Sequence, residues 1–349
     1  MGTQDRLTAV PLWDLDPEQL IAYAPEVAEP ADFDDFWATT LAQARAHDLG
    51  LRLDPVDTGL ALVDVHDVTF AGFDGQPVRA WLTRPRGVRG PLPGVVTCNG
   101  YGGGRGLATG HLGWAVAGFA ELFLDTRGQG SRWGDGGDTP DPVGAGPAVP
   151  GFMTRGLTDP HQHYYRRLYT DAVRGVEALR AVDGIDPARV AVAGGSQGGG
   201  MSLAVAGLVP DIAAVLPDVP FLCHIRRGVQ ICGTEPYAEV ATYLSVHREQ
   251  VDTAFRTLSY IDAVNHARRA VAPARFSVAL MDTICPPSTV YTAYNWYGDR
   301  ATAAGRAVDK CIDVWPFNDH EGGLGHQWAR QLPWLNGLLQ SRAVVPSAS

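Results

Sequence analysis

At 349 residues, 45% of them hydrophobic and 19% charged, the chain has the composition of a soluble globular enzyme with one sizeable core. A net charge of −10 without any clustered Lys/Arg face excludes nucleic acid as a partner, since phosphate binding needs a basic stripe. No run approaches the ~18–20 consecutive apolar residues of a membrane helix. The start, Met1-Gly2-Thr3-Gln4-Asp5-Arg6, lacks the basic-then-apolar layout of a secretory signal, so a cytoplasmic location is expected.

In chain order, residues 1–55 read as a helical approach segment, with acidic residues opening a helix from Asp32 to about Ala46. Leu60 to Arg84 reads as strands, alternating at Val63–Val68 and turning at Phe73-Asp74-Gly75. A short apolar run, Pro91–Thr97, ends in Asn99-Gly100-Tyr101-Gly102-Gly103-Gly104, and a helix at Trp114–Ala117 leads into a strand at Ala120–Asp125. From about Gly128 to Thr158 the chain is dense in Gly, Pro and Asp, the mark of a long functional loop. Further on are a helix at Tyr169–Ala181, a strand at Arg189–Ala193 and a helix at Gly199–Leu208. Strands at Ile212–Leu216, Phe276–Met281 and Ile312–Trp315 follow, then a helix at Gln327–Leu339 and a polar tail. Strands alternating with helices predict an α/β fold, a doubly wound and mostly parallel sheet flanked by helices. One domain over 1–349 is expected, with an N-terminal extension (about 1–60) and insertions (about 128–158 and 220–260).

The most informative stretch is Val190–Gly200, where Gly194, Ser196 and Gly198 form G-x-S-x-G between a strand and a helix. That context is what a nucleophile elbow requires: a strained turn with small neighbours, and a helix N-terminus favouring negative charge. A glycine-rich turn that binds phosphate is the bland alternative. No Lys follows the glycines, so a Walker loop is excluded. Serine needs a histidine as base and a carboxylate to orient it, arriving in the order Ser, Asp, His. His320 follows the last strand and its turn and is preferred to His326, which opens the final helix. Asp282 ends an apolar run and is preferred to Asp218, Asp262, Asp313 and Asp319. The oxyanion donors are assigned to the backbone N–H groups of Gln197 and Tyr101. His161, His163 and His224 read as surface or network residues. The five cysteines (Cys98, Cys223, Cys232, Cys285, Cys311) form no CxxC pair and read as small buried hydrophobes, so neither a zinc site nor a disulfide framework is expected.

Several further segments carry a resemblance: Asp125-Thr126-Arg127-Gly128-Gln129-Gly130, Pro150–Gly156, Gly194–Gly200, Asp218–His224, Met281–Ser288 and His320-Glu321-Gly322-Gly323. With these the chain resembles the acetyl xylan esterase/cephalosporin-C deacetylase family (carbohydrate esterase family seven) of the α/β-hydrolase superfamily, from about Phe33 to the final helix. The resemblance implies the triad Ser196, Asp282 and His320, the oxyanion positions Tyr101 and Gln197, and structural support from Arg127 and Gln129. It places Pro236 and Phe221 at the substrate pocket, Pro236 narrowing the acyl side. It further implies a homo-hexamer that deacetylates short xylo-oligosaccharides and cephalosporin C without metal or cofactor. Asn99 departs from the His expected before Gly100-Tyr101, and the Ser131–Val149 loop is richer in glycine than expected. A serine peptidase or another short-chain ester hydrolase of the same fold is the alternative; a propeller-bearing peptidase does not fit in 349 residues. A non-catalytic binding relative would have lost the serine or the histidine.

Overall fold

The apolar runs read from the sequence assemble into one nine-stranded sheet in a computed structural model that describes residues 13–343 except 89 and 145. The expectations for Met1–Arg6 and for the last residues of the tail, 344–349, fall outside the described residues. The strands are β1 (Arg52–Val56), β2 (Val63–Ala71), β3 (Pro77–Pro85), β4 (Leu92–Cys98), β5 (Ala120–Leu124), β6 (Ile185–Gly195), β7 (Val215–Asp218), β8 (Ala274–Ala279) and β9 (Lys310–Trp315). Their order across the sheet is β1-β2-β3-β5-β4-β6-β7-β8-β9. The β1–β2, β2–β3 and β3–β5 pairs are antiparallel, and every pair from β5–β4 onward is parallel.

Patterning explains this division. In β2, Val63 and Val65 are buried in one apolar cluster and Val68 and Phe70, on the opposite face of the strand, in another, so the buried face changes midway along this antiparallel strand. In β5 all five residues are buried, which is the continuous apolar run of a strand covered on both faces. Helices α1 (Pro17–Ile21) and α2 (Phe33–Arg45) precede the sheet, and α3 (Gly113–Val116), α4 (Tyr164–Arg180) and α5 (Gln197–Leu208) connect its central strands. The segment between β7 and β8 holds α6 (Ile225–Ile231), α7 (Tyr237–Val246), α8 (Val251–Ser259) and α9 (Ala263–Ala267). Helices α10 (Pro287–Trp296) and α11 (Asp299–Ala303) link β8 to β9, and α12 (Leu324–Ala343) closes the chain. No helix among the described residues is long and apolar enough to cross a membrane.

Several elements differ from the sequence expectation, three of them for a visible physical reason. The approach segment ends in a strand, β1, whose edge position leaves its residues exposed or half-buried and so erases the alternation that would reveal it. Helix α4 starts at Tyr164, five positions before the expected Tyr169, because its first turn hides charge rather than showing it. There Arg167 pairs bidentately with Asp141 at 2.8 and 2.7 Å, and Arg166 bonds Thr40 and Gln43 at 2.9 and 2.8 Å. Strand β7 lies at 215–218 rather than 212–216, its register set by pairing with β6.

Between β5 and α4 the chain has neither helix nor strand from 128 to 158 among the described residues, and buried charge holds it in place. Asp125 accepts the backbone N–H groups of Arg105, Thr126, Asp138 and Thr139 at 2.6–3.1 Å. Arg127, fully buried, reaches both carboxylate oxygens of Asp171 at 2.5 and 2.8 Å and also Gln76 at 2.7 Å.

Glu121 of β5 is a different buried group: among the described residues its one hydrogen-bond partner is the Thr97 hydroxyl at 2.6 Å, and burial pushes its carboxyl up to about 7. The folded state therefore holds a proton that the unfolded chain releases near 4.5, so this group subtracts stability as pH rises from 4.5 to 7. Glu121→Gln should gain on the order of 3 kcal/mol relative to wild type between pH 4.5 and pH 8, read by urea denaturation. A stability difference that stays constant with pH would contradict this.

Candidate active site

The nucleophile turn is built by contacts that admit no side chain. Ser196 joins β6 to α5 at φ 55° and ψ −118°, a region non-glycine residues rarely occupy and one typical of functional turns. A Cβ on Gly194 would lie 2.5 Å from the carbonyl carbon of Gly198, and one on Gly198 would lie 2.1 Å from the carbonyl oxygen of Cys98 in β4. Both glycines of the motif are thus required by backbone against backbone. The Ser196 N–H donates to the Asp218 carbonyl at 2.9 Å, and its carbonyl accepts from Phe221 N–H at 2.9 Å, so the turn is fastened on both sides.

His320 and Asp282 meet Ser196 from the loops after β9 and β8. His320 Nε2 lies 3.0 Å from Ser196 Oγ and its Nδ1 lies 2.9 Å from Asp282 Oδ2. Asp282 is completely buried, and its Oδ1 accepts the N–H groups of Ile284 and Cys285, both at 2.8 Å. The two loops are tied directly: Met281 N–H donates to the Asn318 carbonyl at 3.1 Å, and Thr283 N–H to Asp319 Oδ1 at 3.1 Å. Asp319 thus spaces the two loops. Of the other carboxylates weighed, Asp262 caps α9 and also accepts the N–H groups of His224 and Ile225, while Asp313 pairs with Arg275 and Arg330. His326 lies within α12, away from the serine, and its ring faces Trp315.

Tyr101 and Gln197 flank the serine, and among the described residues neither backbone N–H has a hydrogen-bond partner. One side-chain network supports both. Gln129 accepts Gly102 N–H at 2.6 Å, while its amide donates to Tyr164 Oη and Gln197 Oε1, both at 2.9 Å. Tyr164 Oη donates to the Arg127 carbonyl at 2.6 Å, linking the loop to the buried Arg127–Asp171 pair. Asn99 stabilises the loop within itself: Nδ2 donates to the Gly104 carbonyl at 2.6 Å and Oδ1 accepts Gly100 N–H at 2.8 Å. An asparagine at this position therefore still organises the turn.

A cavity of about 300 Å³ opens beside Ser196 and His320, lined also by Asp218, Val219, Ser277, Glu321 and Gln327. Asp218 is held by Gln331 Nε2 at 2.8 and 2.9 Å, and burial pushes its carboxyl up to about 7. Val219, at φ 36°, is a β-branched residue in the left-handed region and is a second strained position on this rim. The sequence reading missed these lining residues; the signal available was only that Asp218 follows a strand. Phe221 is buried, its ring packed on Tyr101 and Tyr237, and Pro236 is buried at the start of α7. Neither lines the cavity beside the serine. His163 is buried against the Met153 carbonyl, His161 is exposed and His224 partly buried; four of the five cysteines are buried.

One set of side chains among the described residues could hold a metal ion, Asp282, Cys285 and His320, each offering an atom within 4.8 Å of the others. Burial pushes the Cys285 thiol well up, which favours the neutral thiol over a metal-binding thiolate.

A strand–serine–helix elbow, a histidine bonded to both serine and a buried aspartate, and two unengaged N–H groups define an α/β-hydrolase with a serine–histidine–aspartate relay. The chain belongs to the acetyl xylan esterase (AXE1) family, whose model matches residues 10–338, and so to the carboxylic ester hydrolases. It is similar to the acetyl xylan esterase from Paenibacillus sp. R4, 36% identical with a TM-score of 0.85 over 93% of this chain and 99% of that one. Acetyl xylan esterase 1 from Thermoanaerobacterium sp. is 29% identical, with a TM-score of 0.82 over 92% of this chain and 99% of the other. The acetyl esterase Axe7A of Xylanibacter ruminicola is 27% identical over 287 residues, 79% of this chain but only 63% of that relative's length. The Pyrococcus horikoshii acylaminoacyl peptidase shares the fold alone, at 14% identity and a TM-score of 0.56 over 81% of this chain and 42% of that one.

Replacing Gly198 by Ala should push the oxyanion loop off the elbow, because the new methyl meets a backbone carbonyl and no flexible side chain. Overpacking of this kind costs about 1–3 kcal/mol. Labelling of the serine by a fluorophosphonate should slow more than tenfold (an order-of-magnitude figure for a displaced donor), and labelling at the wild-type rate would contradict the steric account.

Proposed function

We propose that the protein is a serine esterase that removes acetyl groups from small O-acetylated substrates through an acetyl-Ser196 intermediate. The observation that carries this reading is the relay of 3.0 and 2.9 Å running from Ser196 through His320 to Asp282. Ser196 Oγ attacks the acetyl carbonyl as His320 Nε2 takes its proton, and Asp282 orients the ring and stabilises the imidazolium that forms. The carbonyl oxygen becomes an oxyanion received by the N–H groups of Tyr101 and Gln197. His320 then returns the proton to the departing alcohol oxygen, leaving acetyl on Ser196. A water, deprotonated by the same histidine, attacks the acetyl-enzyme and releases acetate, and Ser196 regains its proton.

Acetylated xylo-oligosaccharides and cephalosporin C are the proposed substrates, by family resemblance. The cavity beside the histidine is lined in part by the polar side chains of Asp218, Ser277, Glu321 and Gln327, which suit a hydroxyl-rich leaving group. Phe221 and Pro236 are proposed to restrict the acyl side, and the active assembly is proposed to be a homo-hexamer.

Turnover of p-nitrophenyl acetate, butyrate and octanoate should fall steeply with acyl length. Ser196→Ala should abolish it, and Asp282→Asn should lower kcat by about 10³–10⁴. Pro236→Ala should recover part of the butyrate rate. Equal rates on acetate and octanoate, or hydrolysis surviving in Ser196→Ala, would overturn the assignment.

A further inference from the structure

The nucleophile, base and acid do not account for one further buried carboxylate near the site. Glu239 of α7 is almost completely buried and forms no ion pair among the described residues. Its Oε1 accepts the Tyr101 hydroxyl at 2.5 Å, while its Oε2 accepts the N–H groups of Phe152 and Met153, both at 3.0 Å. The Phe152 N–H also donates to Tyr101 Oη at 2.6 Å, closing a compact hydrogen-bonded ring. A Cβ on Gly151 would lie 2.2 Å from Glu239 Oε1, so the loop can seat on this carboxylate only because position 151 is glycine.

We propose that Glu239 is a positioning residue for the oxyanion hole: by gripping the Tyr101 phenol it fixes the backbone N–H of Tyr101 against Ser196. The inference rests on the esterase reading, in which that N–H receives the oxyanion.

The surroundings of Tyr101 show why one carboxylate has this leverage. Its carbonyl accepts from Trp133 Nε1 at 2.7 Å, and the next N–H, that of Gly102, donates to Gln129 at 2.6 Å. Its ring packs edge-on against Phe152 and Phe221 at 5.5 and 6.2 Å between centroids. Every polar group of the residue is therefore engaged except its own N–H. The phenol is the long rigid arm of this arrangement, and Glu239 holds its end. Three segments far apart in sequence converge there: the loop after β4, residues 151–153 of the long irregular loop, and α7 of the insertion before β8. Burial pushes the Glu239 carboxyl upward, a cost that its three donors reduce without cancelling. A carboxylate kept under these conditions with no cationic partner is weak as a stabilising device, but it orders the groups that donate to it.

Glu239→Gln preserves size but turns an amide NH₂ toward groups that are themselves donors. Tyr101→Phe removes a single oxygen and leaves the backbone donor in place. Full loss of an oxyanion donor costs about 10²–10³ in kcat, so a displaced one should cost about 10–100-fold in each variant. KM for p-nitrophenyl acetate should stay within about twofold, since ground-state binding makes no use of the oxyanion. The double variant should be no slower than the slower single one, because both break the same contact. Unchanged kcat in either variant, a loss confined to KM, or losses that multiply in the double variant would overturn the proposal. If Glu239→Gln does not fold, Tyr101→Phe alone decides the matter through its kcat-to-KM split. An inactive wild type, or an active Ser196→Ala, would remove the parent reading and this one with it. An active wild type with indifferent variants would remove this one only.

Discussion

Cys98 at the end of β4 pairs with Gly194 at the end of β6, and the chain leaving each strand turns over the same edge of the sheet. Everything at the site depends on that proximity. The two turns approach until a single methyl at Gly198 would overlap the Cys98 carbonyl, which leaves the nucleophile turn and the oxyanion loop no freedom relative to each other. The parallel register thus converts a folding constraint into a catalytic distance. Ser196, at a positive φ, carries the local strain, and the helix that follows supplies the N–H of Gln197.

Support behind this contact comes in two successive layers of bonding. Closest to the turns, neutral amides and phenols bridge the loop segments: Gln129 links Gly102 to Gln197, and Tyr164 links Gln129 to Arg127. Beyond Tyr164, full charges take over in buried pairs, with Arg127 on Asp171 and Arg167 on Asp141. Buried pairs of this kind add little net stability over an apolar core, yet removing one partner leaves the other stranded. Their effect is to fix a long irregular loop that has no strand or helix of its own. The acid and base are positioned differently, by short loops after β8 and β9 that bond one another through Thr283–Asp319 and Met281–Asn318.

Much of this was legible in the sequence where a residue type is demanded by sterics or by the order of the chain. Gly194-x-Ser196-x-Gly198 between a strand and a helix marks the elbow because no other residue fits those two positions. Asp282 and His320 follow from the order of strands, and the structure brings both to Ser196. What could not be read there depends on partners distant in sequence. Arg166 and Arg167 look like a solvent face and delayed the expected start of α4, although both guanidiniums are buried against partners up to 126 residues away. Strand β1, at the sheet edge, lacks the alternation that burial of one face would impress. Glu239 gave no local signal at all, since its role is defined by Tyr101 and by Gly151, more than 80 positions upstream.

The central claim is that the strained Ser196 is the atom acylated during turnover. Rapid acid quenching of the protein during p-nitrophenyl acetate hydrolysis, followed by peptide mass analysis, tests it directly. The account predicts an acetylated peptide containing Ser196, formed in step with the first equivalent of nitrophenol and absent in Ser196→Ala. Acetyl found on another residue, or a nitrophenol burst with no acetylated serine, would contradict it.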